Sequence, residues 1–350
     1  MYERKHHKSW VDVGSVSRLK SRELQQIMAG KIPVALVYKN GEFTAVSGEC
    51  NHEKGPIGRG CMEGDYAVCP WHGWRFHRKT GHAKSPYEIA CLPRHEVKEK
   101  NGHLFINIKP SNRRVQFPHP PHPLAREVKR KNGPIRVAGI STTPMDKNLP
   151  RYSTSEDLLQ TALKHASSVL KAETKLIKLR DLKFNTCGGF YSIDERACTW
   201  PCTFSQIDEK DELGEVYEAL VFWADVVLIA TPIRWGNASS LYYKMAERMN
   251  CIENHTLLHN EHLIKDKVAG FIITGGQDNV QAVAGNLMMF FSELGFRFPR
   301  QPFIGHSRGW EAEDMDNNVG YVRSSEELRK DAKGLVGRAV SAAKSIPGKR

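Results

Sequence analysis

The chain has 350 residues, enough for two domains with separate cores, and its 40% hydrophobic and 26% charged residues exclude a disordered or fibrous chain. Its formal charge of +12 is confined to one part: residues 1–133 carry 24 Lys and Arg against 12 Asp and Glu, whereas residues 134–350 carry 27 of each. A basic half suits docking to an acidic partner, but no helix-turn-helix, zinc-knuckle or aromatic-basic platform accompanies it, so nucleic acid is not an expected partner.

The first eight residues, Met1-Tyr2-Glu3-Arg4-Lys5-His6-His7-Lys8, are charged and no apolar run follows, so a secretory signal is not expected. The longest apolar stretch, residues 219–230, is interrupted by Asp225, which argues against a membrane span. Eight cysteines without a paired framework suit a reducing compartment, and a cytoplasmic location is expected. Short alternating stretches at 34–38 and 43–46, with Asn40-Gly41 and Asn101-Gly102 as hairpin turns, predict an antiparallel β domain.

Within that domain stand Cys50-Asn51-His52 and, sixteen residues on, Cys69-Pro70-Trp71-His72. Each loop offers one thiolate and one imidazole. In a Rieske 2Fe-2S cluster two cysteines hold one iron and two histidines the other, whereas zinc sites usually pair Cys with Cys and His with His, although two of each also suit tetrahedral zinc. Gly58, Gly60 and Gly73 permit tight loops, and Trp71, Trp74 and Phe76 are placed to shield a cluster from water. Residues 9–109, with C-N-H-E-K-G-P-I-G-R-G and C-P-W-H-G-W-R-F, resemble a Rieske domain of the ferredoxin or ring-hydroxylating-oxygenase type. The resemblance implies Cys50 and Cys69 on the buried iron and His52 and His72 on the exposed one. Respiratory Rieske proteins add a disulfide, but its cysteines would fall near Gly55 and Trp71, so the lower-potential ferredoxin-like subgroup is implied. Cys61 and Cys91 read as buried or idle thiols and not as a disulfide.

The domain is expected to span 1–110. Residues 111–133, with the closely spaced prolines of Phe117-Pro118-His119-Pro120-Pro121-His122-Pro123, read as an extended basic linker. His119 and His122 lack a convergent third ligand and read as linker residues.

From residue 134 to 350 the pattern changes. Apolar runs at 135–140, 226–230 and 268–274 alternate with helix-period segments at 158–170, 239–249 and 280–294, which predicts a doubly wound parallel sheet covered on both faces. Ligands in such sheets gather at the carboxyl ends of the strands. The first run ends in Ser141-Thr142-Thr143-Pro144, and Ser153-Thr154-Ser155 open the next helix, where hydroxyls and free N–H groups can hold a phosphate or serve as ordinary caps. Later strand ends supply Pro232-Ile233-Arg234-Trp235-Gly236-Asn237 and Thr274-Gly275-Gly276.

With P-x-x-W-G at 232–236, residues 134–346 resemble the flavodoxin-like superfamily, in particular NADPH-dependent FMN reductases and iron-sulfur flavoproteins. The resemblance implies FMN, its phosphate near Ser141, Ser153, Thr154 and Ser155, and its ring against Pro232, Ile233, Arg234, Trp235, Gly236, Asn237, Thr274, Gly275 and Gly276. The four-cysteine motif of iron-sulfur flavoproteins is not matched: Cys187, Cys198 and Cys202 give three thiolates, with Cys251 a fourth only if folding brings it close. The loop around them, with Gly188, Gly189, Trp200 and Pro201, reads instead as a flavin lid or partner contact. His255, His259 and His262, with Glu253 and Glu261, offer the residue types of an oxygenase iron site but lie in the wrong part of the pattern and read as a solvated segment.

The expected function is an oxidoreductase that couples FMN to a Rieske cluster, moving electrons from NAD(P)H to a partner protein or small acceptor. The alternative is a non-catalytic redox carrier or sensor docking through its basic half, since no flavin-loop residue is an obvious acid, base or nucleophile. The linker, together with the resemblance to reductases that form oligomers, leads us to expect a homo-oligomer.

Overall fold

The computed structural model describes residues 9–52, 54–84, 90–115, 122–129, 133–146, 148–192, 195–208, 210–275, 279–307 and 312–346. Its contacts divide the chain into two compact units: one takes in the described residues up to 121 together with Gly189–Cys198, and the other His122–Gly188 with the remainder from Thr199.

The first unit is antiparallel β structure. Strand β1 (Trp10–Ser15) leads through a one-turn helix, α1 (Val16–Leu19), into β2 (Leu24–Ala29), β3 (Ile32–Lys39) and β4 (Glu42–Ser47). The short strands β5 (Cys61–Glu63), β6 (Tyr66–Val68) and β7 (Arg75–His77) follow, then β8 (Arg94–His95), β9 (Val97–Lys100) and β10 (His103–Asn107). They form three sheets, ordered β1-β10-β9, β2-β3-β4-β8 and β5-β6-β7. The Asn-Gly turns lie where the sequence predicts them. Asn40 and Gly41 take φ of 53° and 79°, and Asn101 and Gly102 take 52° and 76°, the left-handed pairs that let two-residue turns follow the strand twist.

The second unit begins with β11 (Arg136–Ser141), α2 (Thr154–Ser168) and β12 (Glu173–Lys178). Two short helices, α3 (Thr203–Ile207) and α4 (Gly214–Tyr217), precede β13 (Val226–Pro232), α5 (Ser240–Arg248), α6 (Asn250–His259) and β14 (Val268–Gly275). It ends with α7 (Val280–Glu293), β15 (Phe303–Ser307), α8 (Ala312–Ser324) and α9 (Glu326–Lys344). The sheet is wholly parallel in the order β12-β11-β13-β14-β15. Residues 226–230 of β13 are completely buried, as the central strand of a sheet covered on both faces must be. Val226, Leu228 and Ala230 pack with Leu159 of α2 and Leu335 of α9, while on the opposite face Phe271 meets Phe291 of α7 at 5.4 Å between ring centres. This 2-1-3-4-5 order reverses direction between β11 and β13, and the crevice above such a switch point is where flavodoxin-like sheets place FMN.

The segment expected to be an extended linker is fastened at both ends. Val115 pairs with Cys91 of the first unit through two 2.9 Å backbone hydrogen bonds. Arg126 makes a bidentate ion pair with Glu218 of the second and lies 4.1 Å over the Phe222 ring. His119 lies outside the described residues. No helix among the described residues is long and apolar enough to cross a membrane.

Candidate functional site

Two loops present the cysteine-histidine pairs. The first follows β4 and is closed by a hydrogen bond from Cys50 N to the Gly55 carbonyl, 2.9 Å. The second joins β6 to β7 and is closed by Cys69 N to the Trp74 carbonyl, 2.7 Å, with Gly73 at φ 69° making the reversal. Folding brings all four residues together: Cys50 and Cys69 are buried, and the His52 and His72 rings lie 4.4 Å apart, edge to face. Trp74 stacks on His52 at 5.6 Å and 3° from parallel, and Trp71 and Phe76 join the two cysteines in one apolar cluster. A Cβ on Gly55 would stand 2.8 Å from the Cys69 sulfur, so only glycine leaves that sulfur room.

The electrostatics of the sulfur pair suit a metal. Burial pushes the Cys50 thiol well up, and a hydrogen bond from Cys50 lowers Cys69. One thiolate is tolerated there, and a second requires a cation to join them. His72 is as buried as the cysteines and His52 is half-buried, so the imidazoles are less exposed than the resemblance implied, but two sulfurs and two clustered imidazoles still supply the donor set of a binuclear centre with unlike irons. Cys91 is buried and receives a 3.1 Å hydrogen bond from Asn112, while Cys61 is exposed.

At the carboxyl end of the parallel sheet, Thr143 Oγ1 lies 2.8 Å from Ser153 Oγ and 3.3 Å from Ser155 Oγ, a cluster of hydroxyls at the amino end of the 15-residue helix α2. Three hydroxyls on a helix N-terminus suit a phosphate, because the N–H groups and the dipole favour an anion without a lysine. Thr154 joins this group to the next strand end through a 2.6 Å hydroxyl contact with Thr274. Ser141 is fully buried and donates to Glu156 at 2.9 Å, so its hydroxyl is engaged there and not in the cluster. Thr143, which the sequence did not single out, supplies the third hydroxyl of the cluster, and its position beside Ser141 and Thr142 was the available signal.

Ser153-Thr154-Ser155-Glu156 has the spacing of a capping box, yet only half of it forms. Ser153 Oγ accepts from Glu156 N at 3.4 Å, whereas the Glu156 carboxylate turns to Arg180, Lys178 and Ser141. Burial would raise its pKa, but these hydrogen bonds win and hold it at about 2. The carboxylate is thereby neutralised by its own cations, which keeps a buried negative charge from opposing an anion at the helix end.

The ring-side residues form a tight turn. Ile233 N donates to the Thr274 carbonyl at 2.8 Å, and Arg234 and Asn237 exchange backbone hydrogen bonds of 2.8 and 3.0 Å. Trp235 and Gly236 at the tip take φ of 50° and 70°, which leaves the Trp235 ring 88% exposed. A core role for Trp235 is thus excluded. Asn279 braces the turn by donating to the Gly236 carbonyl at 2.6 Å. Pro232 ends β13, and Gly275, where a Cβ would meet Ile233 at 2.8 Å, ends β14 beside it. Gly276 lies outside the described residues.

The other cysteine and histidine groups sort differently. Cys202 and Cys251 do come together, but around the buried Arg248, whose Nε donates to Cys202 at 3.2 Å and whose terminal nitrogens hold Asp211 at 2.8 and 2.9 Å. A hydrogen bond from Cys251, aided by the Arg248 charge, holds the Cys202 thiol at about 5 against the opposing effect of burial. Cys198 belongs to the first unit and Cys187 to the second. His255 and His259 pack at 4.7 Å on α6, with His255 3.6 Å from Glu261. Among the described residues no group of three or more His, Cys, Asp or Glu is close enough to hold a single ion.

Comparison with known proteins addresses both halves. Residues 9–96 match the Rieske 2Fe-2S domain, and residues 135–311, just over half of the chain, match the NADPH-dependent FMN reductase family. The ferredoxin component of the alkene monooxygenase system of Xanthobacter autotrophicus is 29% identical over 102 residues, 29% of this chain and 83% of that protein. Human apoptosis-inducing factor 3 is 29% identical over 91 residues, 26% of this chain but only 15% of that protein's length. A crystal structure of RosB with bound 8-demethyl-8-formylriboflavin-5'-phosphate aligns over 60% of this chain and 79% of its own, at 19% identity and a TM-score of 0.46. With more than half of its length matched by one family, the chain belongs to the NADPH-dependent FMN reductases, and a Rieske domain precedes that domain, which makes it an oxidoreductase built around FMN and a 2Fe-2S cluster.

Proposed function

We propose that this protein passes electrons between NAD(P)H, FMN, its Rieske cluster and an external redox partner, with Cys50, Cys69, His52 and His72 as the cluster ligands. The observation that carries the reading is the presence in one chain of two converging cysteine-histidine loops and a hydroxyl cluster at the strand ends, each within a region matched to a redox family. When bound, FMN exchanges electrons in pairs or singly, and the cluster carries one at a time. The residues around them bind and orient. Thr143, Ser153 and Ser155 offer hydroxyls to the phosphate, the 232–237 turn and Thr274 border the ring, and Trp71 and Trp74 keep water from the sulfurs.

The similarity to the ferredoxin component of a monooxygenase system supports a partner enzyme as acceptor. The basic half supplies the charge for docking, and joining both centres in one chain raises their effective concentration within a homo-oligomer. The test is to purify the protein anaerobically and measure iron, acid-labile sulfide and flavin. Two irons, two sulfides and one FMN per chain are expected, and zinc with no bindable FMN would reject the proposal.

The carrier reading is favoured by one observation. Of the ring-side residues within the described part, only Arg234 is ionisable, and it is neither a base nor a nucleophile at neutral pH. A protein that accepts electrons from a partner, but from neither NADH nor NADPH, would establish this second reading.

A further inference from the structure

Arg114 lies beyond the matched Rieske region, in a stretch the sequence presents as linker, yet it is built into the first ligand loop. Its Nη1 donates to the Glu49 carbonyl at 3.0 Å and to the Asn51 side-chain oxygen, and its Nη2 donates to the Ser47 hydroxyl at 2.7 Å. Ser47 ends β4, Glu49 precedes Cys50, and Asn51 separates Cys50 from His52. The guanidinium therefore fixes the loop on both sides of the cysteine.

Asn51 is held from its other end as well, its Nδ2 donating to the Val115 carbonyl at 2.9 Å and the Cys91 carbonyl at 3.3 Å. The segment carrying Arg114 is itself anchored: Asn112 accepts from Arg94 N at 2.6 Å and donates to the Leu92 carbonyl at 3.0 Å, while Val115 pairs with Cys91. Arg114 is thus a fixed group and not a mobile surface side chain.

Its charge stands beside the cysteine, because the guanidinium bonds residues on both sides of Cys50, and Glu49 is the acidic residue next to it in the loop. Reducing a cluster by one electron adds one negative charge, and a fixed cation nearby favours that state. Glu49 lies on the exposed side of the loop, where solvent weakens its opposition.

We propose that Arg114 is a positioning residue for the cluster, one that clamps the Cys50–His52 loop through Ser47, Glu49 and Asn51 and raises the reduction potential through its positive charge. The proposal rests on the ligand assignment given above. It separates two properties of the side chain, the planar fork and the charge, because lysine keeps the second and loses the first.

The experiment compares full-length wild type, Arg114→Lys and Arg114→Gln by EPR-monitored redox titration and by the rate at which a chelator removes iron. In Arg114→Gln the ratio of reduced to oxidised cluster at a fixed poise is expected to fall several-fold to tenfold, a tenfold fall being about 59 mV for one electron. In Arg114→Lys that ratio stays within about twofold of wild type, while iron is lost several times faster. Wild-type potentials and wild-type chelation rates in both variants would overturn the proposal. If Arg114→Gln does not retain its cluster, Arg114→Lys decides: faster loss at a preserved potential supports the clamp, and a wild-type loss rate rejects it. A wild-type protein with no Rieske EPR signal would instead strike at the ligand assignment, and the proposal would fall with it.

Discussion

Thr154 and Thr274 touch hydroxyl to hydroxyl at 2.6 Å, which ties the amino end of α2 to the carboxyl end of β14 across the top of the parallel sheet. One residue comes from the group expected around a phosphate and the other from the group expected around a ring, so the contact joins the two halves of the candidate FMN site. Thr274→Val keeps the shape and removes the hydroxyl, and should cost about 1 kcal/mol of stability. FMN affinity should fall several-fold, read by flavin fluorescence on titrating the apoprotein. The Thr154→Val/Thr274→Val pair should be no worse than the poorer single variant. Additive losses would show that the two hydroxyls act separately.

The cluster ligands divide by chemistry. Cys69→Ala should abolish the EPR signal and the iron it reports. His72→Cys, where it assembles a cluster, should lower the potential and flatten its pH dependence, because an imidazole keeps a titratable N–H and a thiolate does not. Unchanged iron in Cys69→Ala would show that the site is elsewhere.

Glu156 gives a pH prediction with a definite sign. Its folded pKa of about 2 is depressed from the usual 4.5, so its contribution is full above 4.5 and is lost as the pH falls towards 2. The upper bound is roughly 3 kcal/mol at 1.36 kcal/mol per pKa unit. Glu156→Gln should be less stable near neutrality and should lose less on acidification, in thermal melts between those pH values. Parallel acid curves for wild type and variant would contradict the network with Arg180 and Lys178.

The pair of Arg248 and Asp211 is completely buried in the second unit. Asp211→Asn takes the carboxylate from the buried guanidinium, leaves only Cys202 beside it, and should destabilise by about 3–5 kcal/mol. Cys202→Ala removes one hydrogen-bonded partner and should cost about 1–3 kcal/mol. Calorimetry should therefore show a larger drop in the flavin domain's transition for Asp211→Asn. The reverse order would mean that Cys202, not Asp211, is the main counterion of Arg248.

Much of this was legible in the sequence because its signals are local. Cys50 and His52 sit one residue apart, the Asn-Gly turns fix their own hairpins, and the alternation of buried runs with helices implied the parallel sheet. What escaped depends on contacts between distant residues. Arg114 meets Asn51 sixty-three positions away, and nothing in its neighbourhood of prolines and basic residues separates a clamp from a linker. Ala197, from within the flavin-domain sequence, is fully buried in the apolar cluster around Cys50 and Cys69, with Phe190 packed against it, so the first unit borrows a segment that sequence order assigns to the second. Ser141 was expected near a phosphate, and nothing local to it in the sequence marks Glu156, fifteen positions on, as the acceptor of its hydroxyl.

The central claim is that electrons pass between the two cofactors of this protein. Anaerobic stopped-flow mixing of the loaded protein with NADPH, and separately with NADH, tests it most directly by following the flavin and Rieske absorbances together. The account predicts rapid flavin bleaching with at least one nucleotide, followed by loss of the oxidised Rieske bands. It further predicts that a variant with Cys69→Ala keeps the first phase and lacks the second. Flavin reduction with the cluster left oxidised throughout, in protein of full iron and FMN content, would contradict it.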